Sequence, residues 1–271
     1  MDYILTILYG IIEGITEWLP ISSTGHLILL KKFLPLDAFN NLEFWSLFEV
    51  IIQLGAILAV IILFFNKLFP FKIKEKFKID GDIFKMWFKI LVACIPCIII
   101  VILNLDEKFE ELFYNEISVS IALIIVGIIF IIIESLNKKT TVDDIKKITF
   151  LQAFIIGIFQ LIAALFPGVS RSGITIIGAL LLGISRTVSA EFTFFLAIPS
   201  MLGASLMKLL KIGLSFSSTE LIILLLGTLV SFITSILVIK FLMNYIKKHN
   251  FKIFGYYRII LGCIILLITL L

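Results

Sequence analysis

Six long apolar runs decide what this chain can fold into. Residues 47–65, 87–105, 117–135, 188–210, 220–243 and 253–271 are almost continuous hydrocarbon. Each reaches or approaches the roughly 20 apolar residues that a helix needs to cross a bilayer. Inside a bilayer the backbone must satisfy its own polar groups, so such runs form helices. Hydrophobic residues make up 61% of the 271 residues, against about 45–50% in soluble domains. The sequence therefore reads as an all-α polytopic membrane protein. The run at 87–105 contains Pro96, where a kink is expected. The net charge of +4 is modest, and the lysines gather in particular loops. They report membrane topology, and no nucleic-acid partner is expected. Cys94, Cys97 and Cys263 all lie in apolar runs. Cys94-x-x-Cys97 has the spacing of a redox motif, but no βαβ pattern surrounds it, so these cysteines read as small packed hydrophobes. The first apolar stretch begins at once and carries Glu13 and Glu17, unlike the apolar core of a signal peptide.

Two pairs of shorter apolar segments remain. Residues 3–19 stop at Pro20 and are followed by 27–34; residues 150–166 stop at Pro167 and are followed by 174–184. Each pair reads as a helix-loop-helix that enters the membrane and returns, an irregularity tolerated only where protein or a watery cavity surrounds it. Basic loops stay cytoplasmic. Lys67, Lys72, Lys74, Lys76, Lys78 and Lys85 mark the first such loop, Lys138, Lys139, Lys146 and Lys147 the second, and Lys247, Lys248 and Lys252 the third. The acidic loop at 106–116 and the short link at 213–218 then lie outside. The hairpin at 150–184 starts and ends inside, while the N-terminus and the first hairpin lie outside. Lys208 and Lys211 fall on the outer side and read as snorkelling lysines or headgroup contacts.

Each half is thus one re-entrant hairpin plus three transmembrane helices. Repeat one covers about 1–135 and repeat two about 150–271 of a single membrane domain. Three spans, an odd number, invert the second half relative to the first. Gly10, Glu13 and Pro20 recur at constant separation as Gly157, Gln160 and Pro167. Ser22-Ser23-Thr24-Gly25 recurs one residue further on as Ser170-Arg171-Ser172-Gly173. Inverted repeats with broken helices bring their polar tips together near the midplane, so the two motifs are expected to share one pocket.

The polar groups concentrate at those tips. Glu13 and Glu17 are four residues apart and share a helix face. Two like carboxylates so close repel. A divalent cation, Mg²⁺ or Ca²⁺, would remove that cost; alternatively one carboxyl keeps its proton and serves as acid or base, or both face the outer water. After Pro20, Ser22, Ser23, Thr24 and Gly25 can cap the next helix, whose free N–H groups favour an anion. His26 can serve as acid, base or activator of a hydroxyl such as Ser23, or simply bond to backbone. Arg171, always charged and at a membrane hairpin tip, needs a strong partner: Glu13, Glu17 or a bound phosphate. Ser170, Ser172, Gly173 and Thr175 around it supply donors typical of a phosphate cradle. Glu49, Gln53, Arg186, Glu191 and Arg258 rank behind these, with Arg186 and Glu191 placed to pair locally.

EGITEWLPISSTGH at 13–26 and PGVSRSG at 167–173 resemble the two signature motifs of bacterial undecaprenyl-pyrophosphate phosphatases of the bacitracin-resistance type. FEVIIQLGAILAV from Phe48 and EFTFFLAIPSMLGA from Glu191 are similar to that family too, so the likeness covers nearly the whole chain. The resemblance implies a plasma-membrane enzyme that hydrolyses undecaprenyl pyrophosphate to undecaprenyl phosphate, recycling the carrier for peptidoglycan and conferring bacitracin resistance. It implies a divalent cation, with Glu13 and Glu17 as metal and acid-base carboxylates, Ser23 as nucleophile with His26 its partner, and Arg171 as phosphate ligand. It also implies a site open to the outer face. The expected partners are the isoprenyl pyrophosphate and membrane lipids, and a homodimer is compatible with such a bundle. The rival reading is a secondary transporter or flippase for an isoprenyl phosphate lipid, since inverted repeats with broken helices also support alternating access.

Overall fold

The structure is a computed structural model that describes residues 2–72, 78–213 and 216–271. Lys74 and Lys76 of the first basic loop, and residues 214–215 of the outer link, lie outside the described residues. The first hairpin is α1 (Asp2–Thr16) and α2 (Ser23–Phe33). Then come α3 (Leu42–Leu63), a single turn α4 (Phe65–Leu68), and the short antiparallel strands β1 (Phe71–Lys72) and β2 (Lys78–Ile79). They are followed by α5 (Gly81–Ile102), α6 (Leu105–Phe113) and α7 (Glu116–Ser135). The second hairpin is α8 (Phe150–Leu165) and α9 (Arg171–Leu181), followed by α10 (Arg186–Ile212), α11 (Ser218–Tyr245) and α12 (Lys252–Leu270). Among the described residues six helices (α3, α5, α7, α10, α11 and α12) are long and apolar enough to cross a membrane. These are the six runs of the sequence, so the chain is an all-helical, multi-pass membrane protein. α5 continues through Pro96.

Helix starts follow local chemistry. The side chains of Asn41, Asp80, Asn115 and Ser185 accept N–H bonds from the first turns of α3, α5, α7 and α10. Thr149 with Gln152, and Ser217 with Glu220, form reciprocal capping boxes at α8 and α11. The sequence reading missed α6 as a helix. Its residues are mostly charged, and none of them is buried, so no apolar run announces it.

The packing partners interchange between the halves. α1 packs on α11 and α8 on α5; α3 packs on α11 and α10 on α5; α7 packs on α12 and α3 on α10. Exchanging the halves carries each pair into another or into itself. The approaches are close because small residues face the contacts. A Cβ on Gly55 would lie 2.1 Å from the Thr228 carbonyl oxygen, and one on Gly157 2.2 Å from that of Ala93. Gly55→Ala therefore forces α3 and α11 apart. Overpacking of this kind costs about 1–3 kcal/mol, and a lowered unfolding midpoint in detergent is expected; an unchanged midpoint would count against this packing.

The charges around the basic loops are tied to partners across the fold. Arg186 and Glu191 do not pair with each other. Arg186 binds Glu134 through Nη2 at 2.5 Å and Nε at 2.9 Å, and Lys67 donates to Glu191 at 2.5 Å. Both partners, Glu134 of α7 and Lys67 of α4, are supplied by neighbouring helices reaching across, which sequence proximity does not reveal. Lys146 donates to Asp82 at 2.9 Å and Lys147 to Asp143 at 2.7 Å. These contacts hold both lysine pKa values above their ordinary range and that of Asp143 below it; exposed pairs of this kind add little stability. Lys211 donates to Glu107 of α6 and is a tether between α10 and α6.

Candidate active site

Both hairpins break in the same way. α1 ends at Thr16 and the chain turns over Glu17–Ile21 before α2; α8 ends at Leu165 and turns over Phe166–Ser170 before α9. The residue that opens the returning helix is a serine in the left-handed region: Ser22 at φ 74° and Ser170 at φ 70°. Such a backbone costs of order 1–3 kcal/mol for a residue with a Cβ. In both places the serine hydroxyl offsets part of this by capping, accepting the N–H of Gly25 at 3.4 Å and of Gly173 at 3.2 Å.

Three side chains lock the tips together. Arg171 Nη2 donates to Glu17 Oε1 at 2.8 Å, and its Nη1 to the Thr193 carbonyl at 3.2 Å. Ser172 Oγ donates to the Glu17 carbonyl at 3.0 Å. Arg258 of α12, fully buried, donates to the Pro20 carbonyl at 3.3 Å and to those of Gly168 and Val169 at 2.9 Å each. One guanidinium therefore holds the backbone turns of both hairpins. The other Glu17 oxygen, Oε2, accepts from Ser23 Oγ at 2.8 Å. Ser23, Glu17 and Arg171 form one continuous hydrogen-bonded chain across the two motifs.

Glu13 lies one turn before Glu17 and is fully buried. Neither of its carboxylate oxygens has a hydrogen-bond partner among the described residues. Its polar neighbour is the Glu17 carboxyl, which, like Glu13, only accepts when ionised. A buried carboxylate left so is costly.

His26 is turned away from this chain of bonds. Its Nδ1 lies 2.7 Å from the Ser22 carbonyl and its Nε2 2.7 Å from the Tyr257 hydroxyl. The carbonyl only accepts, so Nδ1 carries the proton and Nε2 accepts from Tyr257. The His26 and Tyr257 rings are stacked, 5.6 Å apart and nearly parallel. The expected pairing of His26 with Ser23 is not formed. The ring folds back onto the carbonyl one helical turn earlier, which aims it at α12 while Ser23 faces Glu17.

A cavity of about 380 Å³ opens onto the tips. Glu17, Ser23 and Thr24 line it from the first hairpin, and Ser170, Arg171 and Ser172 from the second. Glu49, Gln53, Cys97, Gln160 and Ser200 also line it, as do Asp106, Glu110 and Tyr114 from α6 and the link after it. Ser22, which caps α2, is buried, as are Gly25 and Gly173, which donate their N–H groups to the capping hydroxyls of Ser22 and Ser170. Gln160, in the position that matches Glu13, is satisfied: its amide nitrogen donates to Ser200 at 3.2 Å and to Cys97 at 3.3 Å. Cys97 is thus part of the cavity wall as well as of the packing. Glu49 accepts from Tyr114 at 2.6 Å, which joins α3 to the link after α6. Sequence reasoning missed Tyr114 and Tyr257, because an isolated tyrosine carries no local signal of a partner far along the chain.

Fold and site together define a multi-pass helical membrane protein with a charged, hydroxyl-rich centre built from two broken-helix tips. A family model described as bacitracin resistance protein BacA matches residues 6–264. The chain is 57% identical over 268 residues to undecaprenyl-diphosphatase 1 of Clostridium acetobutylicum, covering 98% of this chain and 97% of that one. It is 58% identical over 263 residues to the undecaprenyl-diphosphatase of Desulfitobacterium hafniense, covering 96% and 94%. To an undecaprenyl-diphosphatase of Enterococcus faecalis it is 52% identical over 273 residues, covering 99% and 98%. The chain belongs to the BacA bacitracin-resistance family.

Proposed function

We propose that this protein is an undecaprenyl-diphosphatase. It removes the terminal phosphate of undecaprenyl pyrophosphate, returns the monophosphate carrier to peptidoglycan synthesis, and so confers bacitracin resistance. The observation that carries this reading is the Ser23–Glu17–Arg171 chain of hydrogen bonds facing a cavity, in a chain similar over almost its whole length to proteins named for that activity.

Charge neutralisation is the main task in phosphoryl transfer. Arg171 exchanges Glu17 for the oxygens of the terminal phosphate, with Ser170, Ser172 and Thr24 as further donors. Glu17, freed on one oxygen, takes the Ser23 proton along the existing bond. Ser23 Oγ bonds to phosphorus as the bond from phosphorus to the bridging oxygen breaks, and isoprenyl monophosphate leaves. Water then attacks the phosphoserine phosphorus; as the bond to Oγ breaks, Glu17 returns its proton to Ser23 Oγ, the water's proton leaves on the released phosphate, and both residues are restored. His26, held between Ser22 and Tyr257, fixes the turn that presents Ser23.

Glu13 and Glu17 would hold a divalent cation, Mg²⁺ or Ca²⁺. Both oxygens of Glu13 are buried and, among the described residues, without a hydrogen-bond donor beside a second carboxylate, which suits a cation. One or two carboxylates completed by substrate phosphates is an ordinary Mg²⁺ donor set. When bound, the ion stabilises charge on the transferring phosphate.

We place the cavity mouth on the outer face. Asp106, Glu110 and Tyr114 line the cavity, and they belong to the acidic segment that the basic loops assign outside. The same topology makes the second half an inverted copy of the first. The site draws all its residues from one chain and needs no second copy.

The test is phosphate release from undecaprenyl pyrophosphate by purified protein in detergent, with Mg²⁺ and with chelator. Metal-dependent release is expected. No release from folded protein would return the reading to a transporter, since detergent leaves no second compartment to transport into.

A further inference from the structure

Resting on the phosphatase reading, we infer that an apolar groove between α7 and α8, floored by α9, seats the first isoprene units of the substrate's tail. The groove encloses about 600 Å³. Ile121 and Ile125 of α7 line one wall, Phe159 of α8 and Phe166 just after it the other, and Ile177 of α9 the floor. From Ser118, its one hydroxyl, to Ile129 it follows eleven residues of α7, roughly 16 Å at helical rise.

What assigns the occupant is continuity with the phosphate cavity. Pro167 lines both spaces. In the turn that follows, Gly168 and Ser170 face the phosphate cavity and Val169 faces the groove. The partition is therefore a single backbone turn. It is also fixed: Arg258 holds the Gly168 and Val169 carbonyls, and Gly168, at φ 90°, sits so close to α7 that a Cβ would lie 2.9 Å from Val119. A pyrophosphate held by Arg171 and Ser170 has its ester oxygen beside this turn. A chain attached there reaches apolar surface by crossing one residue.

The groove then sets chain-length preference. A substrate with one isoprene unit ends at the turn, whereas longer chains gain the groove. Ala122→Trp and Ile125→Trp fill it; Ala122 is partly buried and Ile125 half-exposed, both lining the groove. Ile128→Trp, on the same helix but outside the groove, is the control. Phosphate release is measured from dimethylallyl, farnesyl and undecaprenyl pyrophosphates with purified full-length protein. From the apolar contact removed, kcat/KM for the two long substrates is expected to fall about tenfold in both filled variants. That for dimethylallyl pyrophosphate is expected to stay within about twofold, which also reports that the variants are folded, and Ile128→Trp to behave as wild type. Unchanged chain-length preference would leave the groove to bulk lipid and overturn the inference, as would equal losses for all three substrates in both variants. If wild-type protein hydrolyses none of them, the phosphatase reading itself fails.

Discussion

Arg171→Ala is expected to cut phosphate release by at least about a hundredfold while the protein still folds. Two effects act together. Among the described residues the guanidinium is the one cation lining the cavity, and it binds Glu17 directly; removal of a transition-state charge donor from a protected site costs roughly a hundred- to a thousandfold. The variant also strands Glu17, which is 7% exposed at its side chain and then keeps only Ser23 as a side-chain donor. Breaking one partner of a buried pair destabilises by about 3–5 kcal/mol when burial is complete. Arg171 keeps 15% side-chain exposure, so the structural penalty is smaller and the fold survives. Arg171→Lys separates the two effects. It keeps a positive charge near Glu17 but loses the planar fork that grips phosphate. Its stability should approach wild type while turnover stays at least about tenfold down. Rates near wild type in folded Arg171→Ala, measured by phosphate release, would contradict the assignment.

Glu13→Gln is expected to lower turnover by roughly a hundredfold or more and, without metal, to leave the unfolding midpoint unchanged or raise it. The two effects have opposite signs for one reason. A fully buried carboxylate with, among the described residues, no hydrogen-bond donor on either oxygen, next to another carboxylate, is a liability to the fold unless a cation or proton joins it. The neutral isostere removes the buried charge and the repulsion from Glu17. Ligands that bind only the folded state raise the midpoint by mass action. Added Mg²⁺ should therefore stabilise wild type more than Glu13→Gln. A variant that loses stability in chelator, yet responds to Mg²⁺ as wild type does, would show that Glu13 is structural and that the cation is held elsewhere.

The sequence disclosed the parts of this molecule whose signals are local. A span of hydrocarbon must be a helix, so all six spans are legible. Pro20 and Pro167 mark where the hairpins break, and a charged Arg171 at such a break announces a strong partner. The like motifs at Ser22 and Ser170 foretold equivalent turns, and both serines take the same left-handed backbone. What escaped depends on how helices rotate against one another. Arg258 reads as an isolated charge in the last span, but it grips both hairpin turns from across the bundle. His26 reads either as an acid, base or activator of Ser23 or as a backbone-bonded ring; the bond to the Ser22 carbonyl fits the second, but nothing local announces Tyr257, which holds it from 231 positions along the chain. α6 hid because it is short and mostly charged, with no apolar run to announce it. Arg186 and Glu191, five residues apart, each found a partner on another helix.

The central claim is that one pyrophosphate is held by residues from both hairpins. Binding tests this apart from catalysis. The measurement is calorimetric titration of a farnesyl methylene-diphosphonate, which cannot be cleaved, into purified wild type, Ser23→Ala and Arg171→Ala in detergent with Mg²⁺. Wild type should bind. Loss of the Arg171 charge-assisted contact, worth about 1.5–3 kcal/mol, should weaken binding at least about tenfold. Ser23→Ala, from the other hairpin, should weaken it by a smaller but measurable factor. Equal affinity in wild type and Arg171→Ala, with all three proteins folded, would contradict a shared site and separate the second hairpin from the chemistry.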